Sequence, residues 1–412
     1  MDNELVEIEM TALVYGGDAI GRTAEGQTVF VPFALPGERV QVRLRPQKRG
    51  YVRAELVQIL RASPQRIEPR CLHFRTCGGC HYQHMGYAQQ VAAKTAILRE
   101  QMMRIGHFEQ PPIQPMLPSP SEWNYRNTLQ FHLSPNGKIG FQRSNGAGVV
   151  EIQECHLPMP ALDATWRLLD MEPNPQLERI ELRQNEEEEV LLTLECTSSS
   201  LPEFEVDLPI NAVGISSEGE SILSGNDYLL MTILGRPFRV SAGSFFQVNT
   251  PLAEAMVQHV LAHLPNLSGA TVLDLYCGVG LFSAFLADQA ARVIGFELSE
   301  SACEDFAVNL DEFENVELYM GAAEQVLPAI SLQPLVAVLD PPRAGLAPPV
   351  LQALLKMRPQ QIIYISCDPS TLARDAVHIC KQGYIIEKIT PFDLFPQTFH
   401  IESITIFRLD EN

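Results

Sequence analysis

At 412 residues, 46% of them apolar and 19% charged, the chain reads as a soluble globular protein of two or three domains, each able to bury a core. A formal net charge of -20 is the wrong sign for a chain that neutralises phosphates over its whole surface, and no apolar run reaches the ~18–20 residues of a membrane-crossing helix. Nine cysteines behind an acidic opening, "MDNELVEIEM", argue against a secreted disulfide framework and for thiol or metal chemistry in a cytoplasmic protein without a membrane partner.

Residues 1–60 alternate apolar and polar in short runs such as "LVEIEMTALV" and "QTVFVPFALPGERVQVRL", with glycines at the turns. Such a pattern predicts a small five-stranded barrel of the OB type. From Arg39 to Arg75 the average charge reverses: ten Lys and Arg face only Glu55 and Glu68, a local +8. Tyr51 and Phe74 lie among these charges. The stretch is either a nucleic-acid surface with stacking aromatics or a plain solvated basic face.

"RASPQRIEPRC" reads as a linker, and the helical spacing of "GYAQQVAAKTAILREQMMRIG" predicts a helix at about 86–106. "PPIQPMLPSPSEW" is irregular, and residues 123–240 alternate as an antiparallel β region with some helix. The acidic "ELRQNEEEEV" fits a hairpin tip or a solvated loop. Within 61–240, Cys71, Cys77 and Cys80 form C-x5-C-x2-C, and Cys155 follows in "EIQECHLP". Four thiolates suit an iron–sulfur cluster or a zinc ion, and the spacing alone does not separate the two.

From about Ser241 to the end, strand and helix alternate in units of about 20 residues, which predicts a doubly wound, mostly parallel α/β sheet. Ligands in such sheets sit outside the carboxyl ends of the strands, and Asp274, Glu297, Asp340 and Cys367 all fall near strand ends. "DLYCGVG" joins a strand to a helix, and Gly278 and Gly280 permit a tight turn and close backbone approach. Glu297 is placed to accept from a ribose diol. A dinucleotide fingerprint needs a third glycine where Ser283 stands, and the acidic Asp274 disfavours a pyrophosphate. The loop therefore favours S-adenosylmethionine, with a nicotinamide dinucleotide as the other reading. "VLDPPRAGL" makes a rigid exit from its strand, and "YISCDPSTLARD" bends from strand into helix at Cys367.

Together "DLYCGVGLFS", "LDPPRAGL", "YISCDPSTLARD", "FPQTFHIES" and "SFFQVN" resemble the S-adenosylmethionine-dependent RNA 5-methyluridine methyltransferases, which act on 23S rRNA or tRNA. The N-terminal barrel resembles the TRAM RNA-binding domain of that family, and "CLHFRTCGGC" with a later cysteine resembles its iron–sulfur ligands. The resemblance implies a Rossmann-like class I methyltransferase domain at 241–412, a TRAM barrel at 1–60 and a β-rich iron–sulfur region at 61–240 whose helix packs on the catalytic domain. It implies Cys367 as nucleophile and Glu402 as base. It implies Gln247, Asp274, Tyr276, Gly278, Gly280, Glu297 and Asp340 at the cofactor, Phe245, Arg126 and Arg343 at the substrate, and Cys71, Cys77, Cys80 and Cys155 around a 4Fe–4S cluster, with zinc as the alternative.

The expected activity is methyl transfer to C5 of a uridine, in 23S rRNA before tRNA, by a monomeric enzyme. The second reading is a catalytically weakened RNA-binding or assembly factor. The third is an amino-methylating enzyme that uses "DPPR" as its edge and has no need of Cys367. The chain departs from the family pattern at Leu281, Gln397, Phe399 and Asp368, where the family usually has Asn after the cysteine. A carboxylate beside Cys367 is expected to thin its thiolate.

Overall fold

The computed structural model describes residues 5–45, 51–198 and 208–410. Strands β1 (Leu5–Leu13), β2 (Asp18–Arg22), β3 (Thr28–Pro32), β4 (Arg39–Leu44) and β5 (Val52–Arg61) close into a barrel in the order β1-β2-β3-β5-β4. The period of two explains it: Ile8, Met10, Val29, Val31, Val40 and Val42 fill the interior, while the residues between them face outward. Those outward positions change the reading of the basic stretch. Glu7 pairs with Arg39 at 2.6 Å, Glu9 with Arg61 at 3.0 Å, Glu55 with Arg43 at 3.6 Å and Asp18 with Arg53 at 3.8 Å. Glu38, fully buried, holds Arg66 at 2.6 Å. Acids from neighbouring strands thus offset much of the positive charge counted along the chain. Lys48 and Arg49 lie outside the described residues. Phe74 is buried between Phe33 and His84, at 5.3 and 5.4 Å, and is not available to stack on a base; Tyr51 is exposed.

Helix α1 (Tyr87–Arg104) leaves the linker and packs on the C-terminal domain, where Ile97, Leu98 and Met102 share a core with Leu372, Ala373 and Ala376. Next come β6 (Thr128–Leu133), β7 (Ile139–Gln142), β8 (Val149–Glu151), α2 (Pro160–Trp166), β9 (Leu177–Gln184), β10 (Val190–Cys196), β11 (Asn211–Ser216) and β12 (Gly219–Ser224). Their strands form one sheet in the order β12-β11-β10-β9-β6-β7-β8, with Leu162 and Trp166 of α2 packed on Phe131 and Ile180. The pairing is antiparallel as expected except between β10 and β11, which run parallel. The acidic run Glu186–Glu189 is the tip of the β9–β10 hairpin, where its charges stay in water.

The hairpin of β13 (Tyr228–Ile233) and β14 (Arg236–Ser241) precedes the expected boundary at Ser241. Its apolar side, Leu229, Met231, Ile233, Phe238 and Val240, joins the C-terminal core instead. That domain continues with α3 (Thr250–Ala262), β15 (Thr271–Leu275), α4 (Leu281–Ala287), β16 (Arg292–Glu297), α5 (Glu300–Asn309), β17 (Val316–Met320), α6 (Ala323–Val326), β18 (Val336–Leu339), α7 (Pro348–Met357), β19 (Gln361–Ser366), α8 (Pro369–Lys381), β20 (Tyr384–Phe392) and β21 (Glu402–Leu409). The strand order is β17-β16-β15-β18-β19-β21-β20; the first five are parallel and β21 is antiparallel to both its neighbours. The order reverses between β15 and β18, which opens a crevice at their carboxyl ends.

Candidate active site

The crevice begins at the glycine loop after β15. Tyr276, Gly278 and Gly280 all take positive φ, at 64°, 54° and 90°. A Cβ on Gly280 would lie 2.3 Å from Leu310 Cδ1, so both conformation and space require glycine there. Glu297 at the end of β16 ties the loop down: its Oε2 accepts from Gly278 N at 3.0 Å and its Oε1 from Leu298 N and Ser299 N, each at 2.7 Å. A carboxylate has about four acceptor sites, so roughly one is left for a ribose hydroxyl. Asp274, fully buried, accepts from Ser283 Oγ at 2.6 Å through Oδ2, while its Oδ1 has no partner. Burial pushes its pKa up to about 7, and Glu297 adds to the rise. A buried acid with an unpaired oxygen beside a half-buried glycine loop fits a ligand that brings donors and positive charge, as S-adenosylmethionine does.

Asp340 closes the next strand, with its N–H on Leu275 O at 3.1 Å. Its pKa is also raised to about 7, by burial and then by Asp274. One strand further on, β19 and β21 pair with Ser366 opposite Ser403. Continuing that antiparallel register by one residue sets Cys367 opposite Glu402, where cross-strand Cβ atoms are about 5 Å apart. The strand ends thus deliver a thiol and a carboxyl to one place. Burial pushes the Cys367 thiol up to about 12; Glu402 and Asp340 push the same way, Arg343 opposes them, and Asp368 makes a smaller addition. The buried Glu402 is held well above the usual carboxylate range by burial and by Asp340, against Arg343 and Lys94. Three acids and a thiol in one crevice cannot all carry charge, so the rim seeks protons or a cation.

Asp368 has a structural duty that the sequence reading lacked. It is the N-cap of α8, and its Oδ1 accepts from Ser370 N at 2.8 Å and Thr371 N at 2.9 Å. Tyr15, from the barrel loop after β1, faces it: its ring meets Phe399 edge-on at 5.7 Å, and burial followed by Asp368 raises its hydroxyl pKa. Gln397, another departure, sits at φ 69° and exchanges two 2.9 Å hydrogen bonds with Gln90 of α1. Phe399 packs against His81 at 4.5 Å. These departures thus fasten the barrel, the cysteine segment and α1 to the catalytic rim.

Phe245 is 69% exposed between the buried Ser244 and Phe246. Gln247 is half-buried, and its carbonyl accepts from Asn127 Nδ2 at 2.9 Å. Arg343 is exposed, and its carbonyl accepts from Thr371 Oγ1 at 3.2 Å. Arg126 lines the same cavity as Phe245 and Arg343. Its guanidinium sits 5.8 Å from the Phe395 ring and faces Cys77, Cys80 and Cys155.

Cys71, Cys77, Cys80 and Cys155 line one cavity of about 390 Å³, which Arg126, Phe245, Arg343 and Phe395 also line. Backbone N–H groups already address the sulfurs: His73 N to Cys71 Sγ at 3.4 Å and Gly79 N to Cys77 Sγ at 3.3 Å. Burial raises all four thiols, Cys80 and Cys155 to about 12. Among the described residues no three His, Cys, Asp or Glu side chains gather closely enough to hold a single metal ion. His73, Glu154 and His156 also line the cavity, while His81 packs on Phe399 and His84 on Phe74. Four thiols thus border one chamber, and backbone N–H groups are aimed at two of the sulfurs.

Tyr15, Lys94, Asp393 and Phe395 belong to this neighbourhood and were not singled out from sequence. Lys94 alone left a trace: it stands on the buried face of α1 with Gln90, Ile97, Leu98, Gln101 and Met102.

Comparison with known proteins gives the site a family. Residues 198–408 match the model of the tRNA (uracil-5-)-methyltransferases, and residues 1–57 match the TRAM domain. The chain is 35% identical to an uncharacterized RNA methyltransferase of Nostoc sp., over 99% of this chain and 97% of that protein. It is 32% identical to one of Aquifex aeolicus, over 100% of both. Among solved structures it resembles the Pyrococcus abyssi tRNA (uracil-54, C5)-methyltransferase in complex with S-adenosyl-L-homocysteine, with a TM-score of 0.74, 25% identity and coverage of 97% of this chain and 100% of that one.

Proposed function

The chain belongs to the tRNA (uracil-5-)-methyltransferase family, S-adenosylmethionine-dependent RNA methyltransferases, and on that premise we propose that it methylates C5 of a uridine through a covalent bond between Cys367 and C6. The observation that supports this reading is the β19–β21 register: its last pair, Ser366 and Ser403, is flanked by Cys367 and Glu402, at strand ends shared with Asp340 and the glycine loop. Uracil C5 is a weak nucleophile. Cys367 gives its proton to solvent, the thiolate adds to C6, and the electron pair displaced toward C5 and O4 makes C5 reactive. S-adenosylmethionine, when bound, supplies the methyl group as electrophile. Glu402 then takes the C5 proton, the pair left behind restores the C5–C6 double bond, and the Cys367 thiolate leaves.

Gly278, Gly280, Tyr276, Asp274 and Glu297 would hold the cofactor, and Asp340 and Gln247 would meet it or the base. Phe245, exposed beside the crevice, would stack on a nucleotide taken out of its own stack, with Arg343 near its phosphates. Arg126, which lines one cavity with Phe245, Arg343 and the cysteines, would meet the substrate beside them. The four cysteines would hold a 4Fe–4S cluster with a structural role, because methyl transfer needs no electron donor.

For the target, 23S rRNA is the first expectation. The likeness to a tRNA uracil-54 enzyme keeps tRNA as the second. The test is transfer of labelled methyl from S-adenosylmethionine into unmodified 23S rRNA and tRNA, with the product nucleoside mapped. Methyluridine in either RNA, lost in Cys367→Ala, supports the proposal. Methylation at a base nitrogen, or a Cys367→Ala variant with wild-type turnover, overturns it.

A further inference from the structure

Lys94 is a lysine without contact to water. Its side chain and that of Asp393 are both 0% exposed, with Nζ 2.5 Å from Asp393 Oδ1. A second N–H bonds Phe395 O at 2.9 Å, which leaves one donor of the ammonium for another acceptor. The lysine arrives on α1, a helix from outside the sheet, and reaches the sheet beside its catalytic edge. In the β20–β21 register Phe392 stands opposite Glu402, and Asp393 is the next residue. Asp393 is itself fixed, its N–H on Leu117 O at 2.9 Å. A fully buried lysine is therefore anchored one residue from the cross-strand partner of Glu402; burial disfavours its ammonium, and Asp393 and then Glu402 favour it.

We infer that Lys94 is a positioning residue for Glu402, an internal cation that favours the ionised form of the base and holds it toward the C5 proton, with Asp393 as its anchor. The inference rests on the reading of Glu402 as base. Glu402 faces Asp340, Arg343, Lys94 and the Cys367 thiol. Lys94 faces Asp393 from the β20–β21 connection, Glu402 from β21 and Arg126 from before β6, while His81 and His400 stand near enough to feel it. Tyr87 of α1 faces Asp393 from the other side. Asp340 and burial favour the proton on Glu402; Arg343, exposed, and Lys94, buried, oppose it. Of these two cations, Lys94 is the one that water screens least. Without it Glu402 holds its proton to higher pH.

The test separates proton removal from bond formation. RNA carrying tritium at uridine C5 reports the base step by tritium release in single turnover. The same RNA with 5-fluorouridine reports the attack of Cys367, which needs no base. Lys94→Met alone leaves Asp393 buried and unpaired, so Lys94→Met/Asp393→Leu is made beside it. Lys94→Arg restores the charge. In the double variant, tritium release at pH 7 is expected to fall about tenfold or more and to recover as pH rises, its acidic limb displaced upward by about one unit or more. Adduct formation with 5-fluorouridine should be equal or faster, because a neutral Glu402 weighs less on the Cys367 thiolate, and Lys94→Arg should return much of the release rate. Overturning results are an unmoved pH profile, or release and adduct formation falling together, which marks a structural role only. A wild-type protein that forms no adduct with 5-fluorouridine RNA fails at the earlier step and removes the covalent reading itself.

Discussion

Replacing Asp368 with asparagine separates two effects of one carboxylate. The cap is kept, because the amide oxygen of Asn can accept from Ser370 N and Thr371 N as Asp368 Oδ1 does. Asn and Asp are near equals at this position, and the lost charge at the helix N-terminus costs about 0.3–1 kcal/mol. Removing the charge also relieves Cys367. At ~7 Å between the groups and an effective dielectric of ~40 for a half-exposed site, the carboxylate disfavours the thiolate by about 1 kcal/mol, roughly fivefold. The larger obstacles, burial and the Glu402 and Asp340 carboxyls, are untouched. Asp368→Asn should therefore melt within a few degrees of wild type and form the 5-fluorouridine adduct at a rate between equal and about fivefold higher at pH 7. Asp368→Ala, which loses the cap, should cost about 1 kcal/mol more. A tenfold loss of adduct rate in Asp368→Asn with an unchanged melt would refute this reasoning and show that the charge, through its contact with Tyr15, orients the nucleophile.

Gly280→Ala should destabilise the fold by about 2–4 kcal/mol in denaturant melts and abolish cofactor binding, since the added methyl meets Leu310 at 2.3 Å in a left-handed backbone; a neutral melt would contradict the loop geometry. Without cofactor, the rate of adduct formation should rise with pH, by nearly tenfold per unit from about pH 7 to 9, because a thiol raised to about 12 gains thiolate throughout that range; a plateau near pH 8 would show an unperturbed cysteine. Anaerobic reconstitution with iron and sulfide should give a brown protein absorbing near ~400 nm, and Cys155→Ser should lose both colour and iron. One zinc per chain with no visible absorbance would replace the cluster reading.

The barrel, the alternating α/β unit and the glycine loop were legible because each rests on a local period or a turn signal, as with Ile8 and Met10 inward in β1. Cys367 and Glu402 were legible by resemblance, yet their meeting depends on a register between strands that no local pattern states. The net charge of the basic stretch was overcounted for a related reason. Its partners Glu7, Glu9, Asp18 and Glu38 precede it in the chain, so a count from Arg39 onward left them out. Phe74 looked free among charges because burial against Phe33 and His84 is a tertiary fact. Lys94, Tyr15 and the β13–β14 hairpin were missed alike: each comes from outside the catalytic segment and completes it by packing.

The central claim is a covalent bond between Cys367 and a uracil ring set against Glu402. Its most direct measurement is mass spectrometry of the peptide spanning Cys367 after incubation with S-adenosylmethionine and 5-fluorouridine-substituted RNA. The expected result is that peptide carrying a methylated fluorouridine nucleotide on Cys367, absent in Cys367→Ala. An unmodified Cys367 in protein that methylates ordinary RNA, or the adduct on another cysteine such as Cys277, would contradict it.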